Sequence, residues 1–270
     1  MVAASSRPPG APGGTVSDVR QVFPSPADEV DPVRCYADDE RIRPDGRPWV
    51  LVNMIVSVDG ATASDGVSGG LGGPADRQVF SAIRGVADII VAAAGTVRAE
   101  GYGPPRTPDA IREQRRERGQ SDHPRLAVIS RSLQLDLTSA LFTDSDPPPL
   151  VITAPGADAV RRAEVASRAD VALAGQGDRV ELDAAIGLLG DLGASIVLVE
   201  GGPTLNGQLL DADLVDEVCV TVSPTLVGGD SRRLMHGARR ADAVDLRLAR
   251  ILEQSGLLFL RYVREGTANR

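Results

Sequence analysis

The sequence predicts an α/β fold, with a mostly parallel central sheet flanked by helices and an antiparallel hairpin at the C-terminal end. The apolar runs are short and nearly continuous, as in residues 49–56, which is typical of strands buried on both faces. Segments with helical spacing of apolar residues lie between them. The last two apolar runs, 246–253 and 257–263, are separated only by Gln254, Ser255 and Gly256, which indicates a hairpin.

The elements follow in alternating order along the chain. Residues 49–56 form the first predicted strand, and a helix follows at 75–86, because Val79, Ile83 and Val86 share one face. Further strands are predicted at 88–94, 126–130, 150–153, 170–174, 195–200 and 217–223. Further helices are predicted at 158–168, 181–192 and 204–210. This alternation of strands and helices is what predicts a parallel sheet.

The ends of the chain and one inner segment depart from this pattern. Residues 1–14 consist mostly of Pro, Gly, Ser and Ala, which bury too little apolar area to order, so we expect a disordered tail. Residues 15–47 are expected to form an extended N-terminal arm, and residues 48–265 the folded domain. Residues 103–123 are rich in arginine, which favours a solvated loop or a short exposed helix.

Composition excludes several classes of function. The 270 residues carry a formal net charge of −8 and only 3% aromatic side chains, so nucleic acid is not an expected partner. No apolar run is long enough to cross a membrane. Residues 1–15 lack the apolar stretch of a secretory signal, so a cytoplasmic location is expected.

The cysteines and histidines do not form a metal or nucleophile pattern. Cys35 and Cys219 are far apart, and neither lies near a histidine. Cys219 falls in an apolar run and is expected to be buried. His123 and His236 precede Pro and Gly, which places them in loops. We therefore expect no disulfide framework, no metal site and no histidine-based triad.

The strongest local signal is a strand that ends at Glu200, continues into Gly201 and Gly202, and enters a helix at Pro203. Two glycines let the backbone approach a ligand closely, and proline fits the first helical turn. The unpaired N–H groups of a helix start favour an anion such as a pyrophosphate. A tight turn without a ligand is the alternative that this pattern leaves open. The spacing is not that of the dinucleotide fingerprint G-x-G-x-x-G.

Polar residues also follow three other strands. Asn53 and Asp59 lie in or after the first strand, the pair Gly95 and Thr96 follows the second, and Ser130 with Arg131 ends the third. Ligands of open α/β sheets bind beyond the carboxyl ends of strands, so these corners are expected to lie at one edge. A hydroxyl beside a guanidinium can bind a phosphate monoester.

Taken together, these residues resemble the reductase domain of the bifunctional riboflavin-biosynthesis deaminase/reductase, a pyrimidine reductase with a dihydrofolate-reductase-like fold. The resemblance runs over about residues 48–264. Its landmarks are Ser57-x-Asp59-Gly60, Ser68, Arg84, Gly95-Thr96-Val97, Glu200-Gly201-Gly202-Pro203-Thr204-Leu205, Leu214-Val215-Asp216-Glu217 and Pro224-x-x-x-Gly228-Gly229.

The resemblance implies roles for these positions. NADPH would be held by Gly95, Thr96, Glu100, Ser130, Arg131, Gly201, Gly202, Pro203, Thr204 and Leu205. Ser130 and Arg131 are placed like a pair that holds the 2′-phosphate, which favours NADPH over NADH. The substrate would contact Asn53, Ser68, Arg84, Arg106 and Glu200, with Arg84 on its phosphate. Asp59 and Glu200 would be the catalytic carboxylates, and a homodimer is expected.

The implied reaction reduces 5-amino-6-(5-phosphoribosylamino)uracil, by passing a hydride from nicotinamide to the ribose C1. It needs no metal, because the protein supplies mainly orientation and a dry pocket. The chain departs from the family in its substrate half. The loop 100–106 lacks the usual paired Asp, and the stretch after Ser68 is unusually rich in glycine. We also expect that these 270 residues do not include the zinc-binding deaminase half of the bifunctional enzymes.

The sequence leaves two alternatives open. A reductase for dihydrofolate or another pterin would have the same fold, but Arg84 would then be a structural residue, since a pterin ring carries no phosphate. A non-catalytic NADPH-binding homologue would bind the cofactor without turning over a substrate.

Overall fold

The computed structural model describes residues 19–43, 45–64, 66–237 and 242–265. Within them the strands are β1 (Arg20–Phe23), β2 (Trp49–Ser57), β3 (Ile89–Ala93), β4 (Arg125–Ile129), β5 (Leu150–Thr153), β6 (Asp170–Leu173), β7 (Ile196–Val199), β8 (Glu217–Ser223), β9 (Leu246–Gln254) and β10 (Leu257–Arg264). The helices are α1 (Pro32–Ala37), α2 (Pro74–Val86), α3 (Ala94–Ala99), α4 (Asp109–Glu117), α5 (Ala140–Thr143), α6 (Ala159–Ala166), α7 (Leu182–Asp191) and α8 (Pro203–Asp211).

The strands form a single sheet in the order β1-β9-β10-β8-β2-β7-β3-β4-β5-β6. The run from β8 to β6 is parallel throughout. The hairpin of β9 and β10 is antiparallel and pairs with β8 through β10. The predicted α/β class, the mostly parallel sheet and the C-terminal hairpin are thus confirmed. Because β7 inserts between β2 and β3, the carboxyl ends of these three strands meet at one edge.

Alternating residues of the strands bury two separate cores, one on each face of the sheet. Leu51, Ile90 and Leu198 pack under α2 on one face. Val50, Val91 and Val197 pack under α7 and α8 on the other. The near-continuous apolar strands follow from this, since both faces are covered. Cys219 is buried in the first core, as predicted.

The arginine-rich segment is not simply solvated. Helix α4 lies within it, and Arg115 is completely buried. Its guanidinium donates hydrogen bonds to the backbone carbonyls of Gly85, Ala87 and Ser121, at 3.2, 2.6 and 2.7 Å. Burial lowers the pKa of Arg115 to about 10. The expectation of a solvated segment is therefore wrong at this residue, because carbonyl acceptors replace the water.

The predicted N-terminal arm contains β1 and the short helix α1, which the sequence did not indicate. The predicted tail, 1–14, lies outside the described residues. The arm also brings Arg41 to the carboxylate of Glu217, with Nε and Nη2 at 2.9 and 3.0 Å. Arg261 donates to the same carboxylate at 2.8 and 3.1 Å, and the Trp49 indole at 3.0 Å.

A second buried carboxylate lies beside the first. Asp216 accepts hydrogen bonds from Arg43 at 3.0 Å, from Arg47 at 2.7 and 2.8 Å, and from the Val50 amide at 2.9 Å. Both carboxylates are wholly shielded from solvent. Residues that precede the central sheet in the chain thus compensate the charges at the start of β8. Nowhere in the described part of the chain is there a helix long and apolar enough to span a bilayer.

Candidate active site

A cavity of about 920 Å³ opens beyond the carboxyl ends of β2, β7 and β3. Its size suits a nucleotide-sized or drug-sized ligand. It lies where the strand order reverses, which is the expected place for a ligand in an open α/β sheet. The predicted site residues on its wall are Asn53, Ser68, Arg84, Gly95, Thr96, Glu100, Glu200, Gly202 and Pro203.

Glu200 follows β7 directly and is buried at the base of this cavity. Arg84, in the last turn of α2, donates from Nε and Nη2 to its two carboxylate oxygens, both at 2.7 Å. The Tyr102 hydroxyl donates a third hydrogen bond, at 2.6 Å. Burial, together with the charge of Glu200, raises the pKa of Tyr102 well above its usual range, so the phenol stays a proton-bearing donor.

The guanidinium of Arg84 is further held by aromatic rings. Its central carbon lies 4.3 Å from the ring centroid of Phe80 and 5.7 Å from that of Tyr102. This geometry is typical of a cation–π contact. Two of the three nitrogens of Arg84 are therefore engaged by Glu200, and the side chain is rigidly placed on the cavity wall.

The Gly201–Gly202 turn packs against the start of α3. The Gly201 carbonyl accepts a hydrogen bond from the Ala93 amide at 2.7 Å, which joins the ends of β7 and β3. Gly201 has a φ of 91°, a value that favours glycine. A Cβ on Gly202 would lie 2.8 Å from Thr96 Oγ1, whereas a Cβ on Gly95 would point into open space.

This corner fits the phosphates of a dinucleotide. Gly202 precedes the first turn of α8, where Pro203 has no N–H to lose. The following backbone N–H groups lack helical partners and sit at the positive end of a nine-residue helix. The Thr204 side chain is exposed, and its hydroxyl accepts from Arg232 at 3.3 Å. The Leu205 side chain belongs to the core, so only its backbone is available to a ligand.

Ser130 and Arg131 lie at the end of β4, one strand beyond β3 and outside the lining of the large cavity. The Ser130 hydroxyl is buried and accepts from the Leu133 amide at 3.0 Å. Arg131 is exposed, and we find no hydrogen bond or ion pair for it among the residues that the structure describes. Its cation is thus available to an anion beside the Gly95–Thr96 corner.

Asp59 is not brought into the cavity. Its carboxylate accepts from the Ser57 hydroxyl at 2.5 Å and from the Gly228 amide at 2.7 Å, and it lies beside a smaller cleft. The Ser57 hydroxyl, followed by the amides of Gly228 and Val227, lowers the pKa of Asp59 to about 2. A group with this pKa carries almost no proton at neutral pH. Arg106 is likewise exposed and does not line the large cavity.

Several residues on the cavity wall were missed by sequence reasoning, namely Asp76, Phe80, Tyr102, Thr221 and Arg232. The altered loop after Glu100 was a signal for Tyr102, since it departs from the family pattern at that point. The glycines after Ser68 were a signal for Asp76. Glu100 itself accepts from the Ser68 amide at 2.8 Å, which ties this glycine-rich loop to α3.

Glu200, Arg84 and Tyr102 form a polar cluster that can orient a substrate, but no set of three or more His, Cys, Asp or Glu side chains suited to a metal is found in the described ranges. The site therefore offers fixed charges, backbone N–H groups and hydroxyls.

Comparison with known proteins identifies the family. The model of the RibD C-terminal domain matches residues 48–256. A 2,5-diamino-6-ribosylamino-4(3H)-pyrimidinone 5′-phosphate reductase from Methanothermobacter thermautotrophicus is 30% identical over 224 residues, which cover 82% of this chain and 100% of the relative. The corresponding reductase from Archaeoglobus fulgidus is 30% identical over 184 residues, covering 68% of this chain and 83% of that protein.

Solved structures agree with this assignment. A pyrimidine reductase-like protein from Corynebacterium diphtheriae superposes with a TM-score of 0.77 at 27% identity, covering 87% of this chain and 99% of that one. The riboflavin biosynthesis reductase Rib7 of Saccharomyces cerevisiae has a TM-score of 0.61 at 18% identity, covering 87% and 96%, which shows a shared fold alone. Since the family model matches residues 48–256 of its 270 residues, this chain belongs to the RibD C-terminal domain family.

Proposed function

We propose that this protein is an NADPH-dependent reductase of a ribosylaminopyrimidine 5′-phosphate, and that it delivers hydride to the ribose C1. The cavity that joins the Gly201–Gly202 corner to the Arg84–Glu200 pair carries this proposal, because it sets a phosphate-binding corner beside a fixed charge cluster. Relatives named as reductases of such a phosphate support it.

The cofactor half of the site rests on the glycine corner. The start of α8 and the open space at Gly95 fit a dinucleotide pyrophosphate, and Arg131 offers a cation for a 2′-phosphate. A nicotinamide bound there supplies the hydride. The protein's part is to hold it next to the cavity and to limit the access of water.

The substrate half rests on groups with fixed positions. Glu200 is held by three hydrogen bonds, so its carboxylate is oriented before a ligand arrives. The positive charges on the wall are Arg84, Arg77 and Arg232, which can attract a phosphate monoester. Asp59 is ionised, and its carboxylate accepts hydrogen bonds from backbone amides of the loop 227–228. We therefore assign it a structural role, in which it holds the loop 57–60 against 227–228. The proton is then delivered by solvent.

The test is oxidation of NADPH, followed by its absorbance, with three substrates in parallel. They are 2,5-diamino-6-ribosylamino-4(3H)-pyrimidinone 5′-phosphate, 5-amino-6-(5-phosphoribosylamino)uracil and dihydrofolate. We expect turnover of at least one ribosyl phosphate and a clear preference for NADPH over NADH. Turnover of dihydrofolate alone would contradict the substrate class but keep the cofactor. NADPH binding without any turnover would favour a non-catalytic homologue. The expected homodimer stays a prediction, which sedimentation of the purified protein tests.

A further inference from the structure

Asp76 is a carboxylate on the cavity wall that the proposed chemistry does not use. It lies in the first turn of α2, directly after the glycine-rich loop. A Cβ placed on Gly72 would lie 2.6 Å from Asp76 Oδ2 and 3.3 Å from its carboxyl carbon. Any larger residue at position 72 would therefore displace the carboxylate. Gly72, one of the glycines that follow Ser68, thus makes room for Asp76 to face the cavity.

The groups around Asp76 form a recognition surface. The Thr221 hydroxyl, on β8, hydrogen-bonds to the Asp76 carboxylate. Asn53 lies on the neighbouring strand, two residues before Ile55, the register partner of Thr221, so Asn53 and Thr221 share one face of the sheet. All three residues line the same cavity.

Asn53 supplies an independent sign of a ligand. The residue is only 8% exposed, and its Oδ1 is buried without a hydrogen-bond partner among the described residues. A buried acceptor that is left unpaired costs free energy unless something donates to it. A ligand in the cavity that carries N–H groups would provide that donor.

The ionised form of Asp76 is disfavoured by its burial when no ligand is bound. Burial raises the pKa of its carboxyl, opposed by the Thr221 hydroxyl and by the charge of Arg77. A carboxylate in such a place favours a ligand with two adjacent N–H donors, because each oxygen can accept one charge-assisted hydrogen bond.

We propose that Asp76 recognises the 2-amino and N3–H edge of a 2-aminopyrimidin-4(3H)-one ring, so that this chain selects the 2,5-diamino substrate over the corresponding uracil. The inference rests on the proposed function and names its substrate. The 2-aminopyrimidinone edge presents two neighbouring donors to a carboxylate. The uracil presents a carbonyl at C2, which places an acceptor against an acceptor. The unpaired Asn53 Oδ1 is available to a further ring amino group.

A consequence concerns the order of reactions. The two substrates differ only by hydrolytic replacement of the 2-amino group with oxygen. If this chain selects the amino form, a deaminating hydrolase must act on its product and not on its substrate.

The main test compares kcat/KM for the two ribosyl phosphates with NADPH. We expect the wild-type protein to prefer the diamino substrate by at least about 10-fold. Asp76→Asn should lose about 10- to 100-fold on that substrate, as for one hydrogen bond to a charged group, because the amide oxygen of Asn can still accept the other. The uracil substrate should be unaffected or improved, since an amide can donate to its carbonyl. Asp183→Asn is the matched control, because Asp183 is also in the first turn of a helix but lies on α7.

Two results would overturn the inference: a wild-type preference for the uracil, or an equal loss on both substrates in Asp76→Asn. Failure to fold is excluded by the unfolding midpoint in urea. A carboxyl whose folded pKa is raised disfavours folding at neutral pH, so Asp76→Asn should be as stable as the wild type or more stable.

A binding measurement separates this inference from the proposed function. Isocytosine and uracil are titrated into the NADPH-loaded protein by calorimetry. If neither ribosyl phosphate is turned over, but isocytosine binds more tightly than uracil and Asp76→Asn abolishes the difference, the recognition by Asp76 stands and the proposed reaction fails. If the protein binds isocytosine no more tightly than uracil, the inference fails even when the reductase is active.

Discussion

Arg84 donates two parallel hydrogen bonds of 2.7 Å to the two carboxylate oxygens of Glu200, across a separation of 116 residues. The pair connects the last turn of α2 to the end of β7 at the base of the cavity. The Glu200 side chain is 3% exposed and that of Arg84 is 24% exposed. A bidentate pair this well shielded fixes both geometry and charge.

We expect Arg84 and Glu200 to be strongly coupled in stability. Arg84→Met should lower the free energy of unfolding by about 2–4 kcal/mol, because it leaves a buried carboxylate with Tyr102 as its main partner. Adding Glu200→Gln should cost little more. Urea unfolding of both single variants and the double variant gives the coupling energy, which should exceed about 1 kcal/mol. The exposed pair of Arg161 and Glu164 is the control, with an expected coupling below about 0.5 kcal/mol. If the losses of unfolding free energy in the two single variants simply add up in the double variant, Arg84 and Glu200 are not energetically coupled.

Gly202→Ala tests the cofactor corner. The added Cβ would lie 2.8 Å from Thr96 Oγ1, so the Thr96 side chain must shift at the corner where we place the phosphates. We expect the Kd for NADPH to rise about 10-fold or more, which corresponds to about 1.4 kcal/mol. Gly187→Ala is the control, since a Cβ there meets nothing within 4 Å and the residue lies on α7. An unchanged Kd for NADPH in Gly202→Ala would show that the cofactor phosphates do not bind at this corner.

Arg131→Gln tests the choice between NADPH and NADH. Removal of an exposed cation that binds a 2′-phosphate should lower kcat/KM for NADPH by about 10- to 100-fold and leave NADH nearly unchanged. The loss should shrink at high ionic strength, because the site is open to solvent. Arg179→Gln, an exposed substitution before α7, is the control for net charge. Equal losses with both cofactors would rule out a 2′-phosphate contact.

The stability of the protein should fall in acid through Glu217. Burial raises the pKa of this carboxyl, but Arg41 and Arg261 outweigh it and lower the pKa to about 2 from an ordinary 4.5. Since the folded pKa is the lower one, the unfolded chain binds the extra proton. The stabilisation is therefore complete above about pH 4.5 and is lost as the pH falls towards 2.

Glu217→Gln checks this directly. It should cost about 3–5 kcal/mol at pH 7, because two arginines lose their buried counter-ion. The slope of unfolding free energy against pH between about 4.5 and 2 should also be shallower than in the wild type. An unchanged slope would mean that other carboxylates govern the acid sensitivity.

Much of the fold was predictable because it depends on apolar spacing. The strands around Leu51, Ile90 and Leu198 are buried on both faces, so their nearly continuous apolar runs identify them. The turn at Gly201 and Gly202 was predictable because glycine readily adopts a positive φ, such as the 91° of Gly201, between a strand and a helix. The hairpin at Gly256 was predictable because only residues 254–256 separate its two apolar runs.

The unpredicted parts depend on contacts between distant polar residues. Arg115 lies in a run of arginines, and no local feature of the sequence distinguishes the arginine that binds the Gly85 and Ala87 carbonyls at the end of α2. Asp76 resembles an ordinary acidic residue of a first helical turn, and only the cavity reveals its surroundings. The family resemblance implied a catalytic role for Asp59, but its carboxylate accepts hydrogen bonds from the Val227 and Gly228 amides, which come from a distant part of the chain.

The arginines of the N-terminal arm have a consequence for where the domain begins. The family match starts at residue 48, but Arg41, Arg43 and Arg47 all precede it. A chain shortened to the matched region would retain every residue of the cavity and still enclose Asp216 without its two arginines. The start of the family match and the start of the folding unit are thus different here. Recombinant fragments and domain fusions should be cut before Asp39, whose carboxylate also pairs with Arg250.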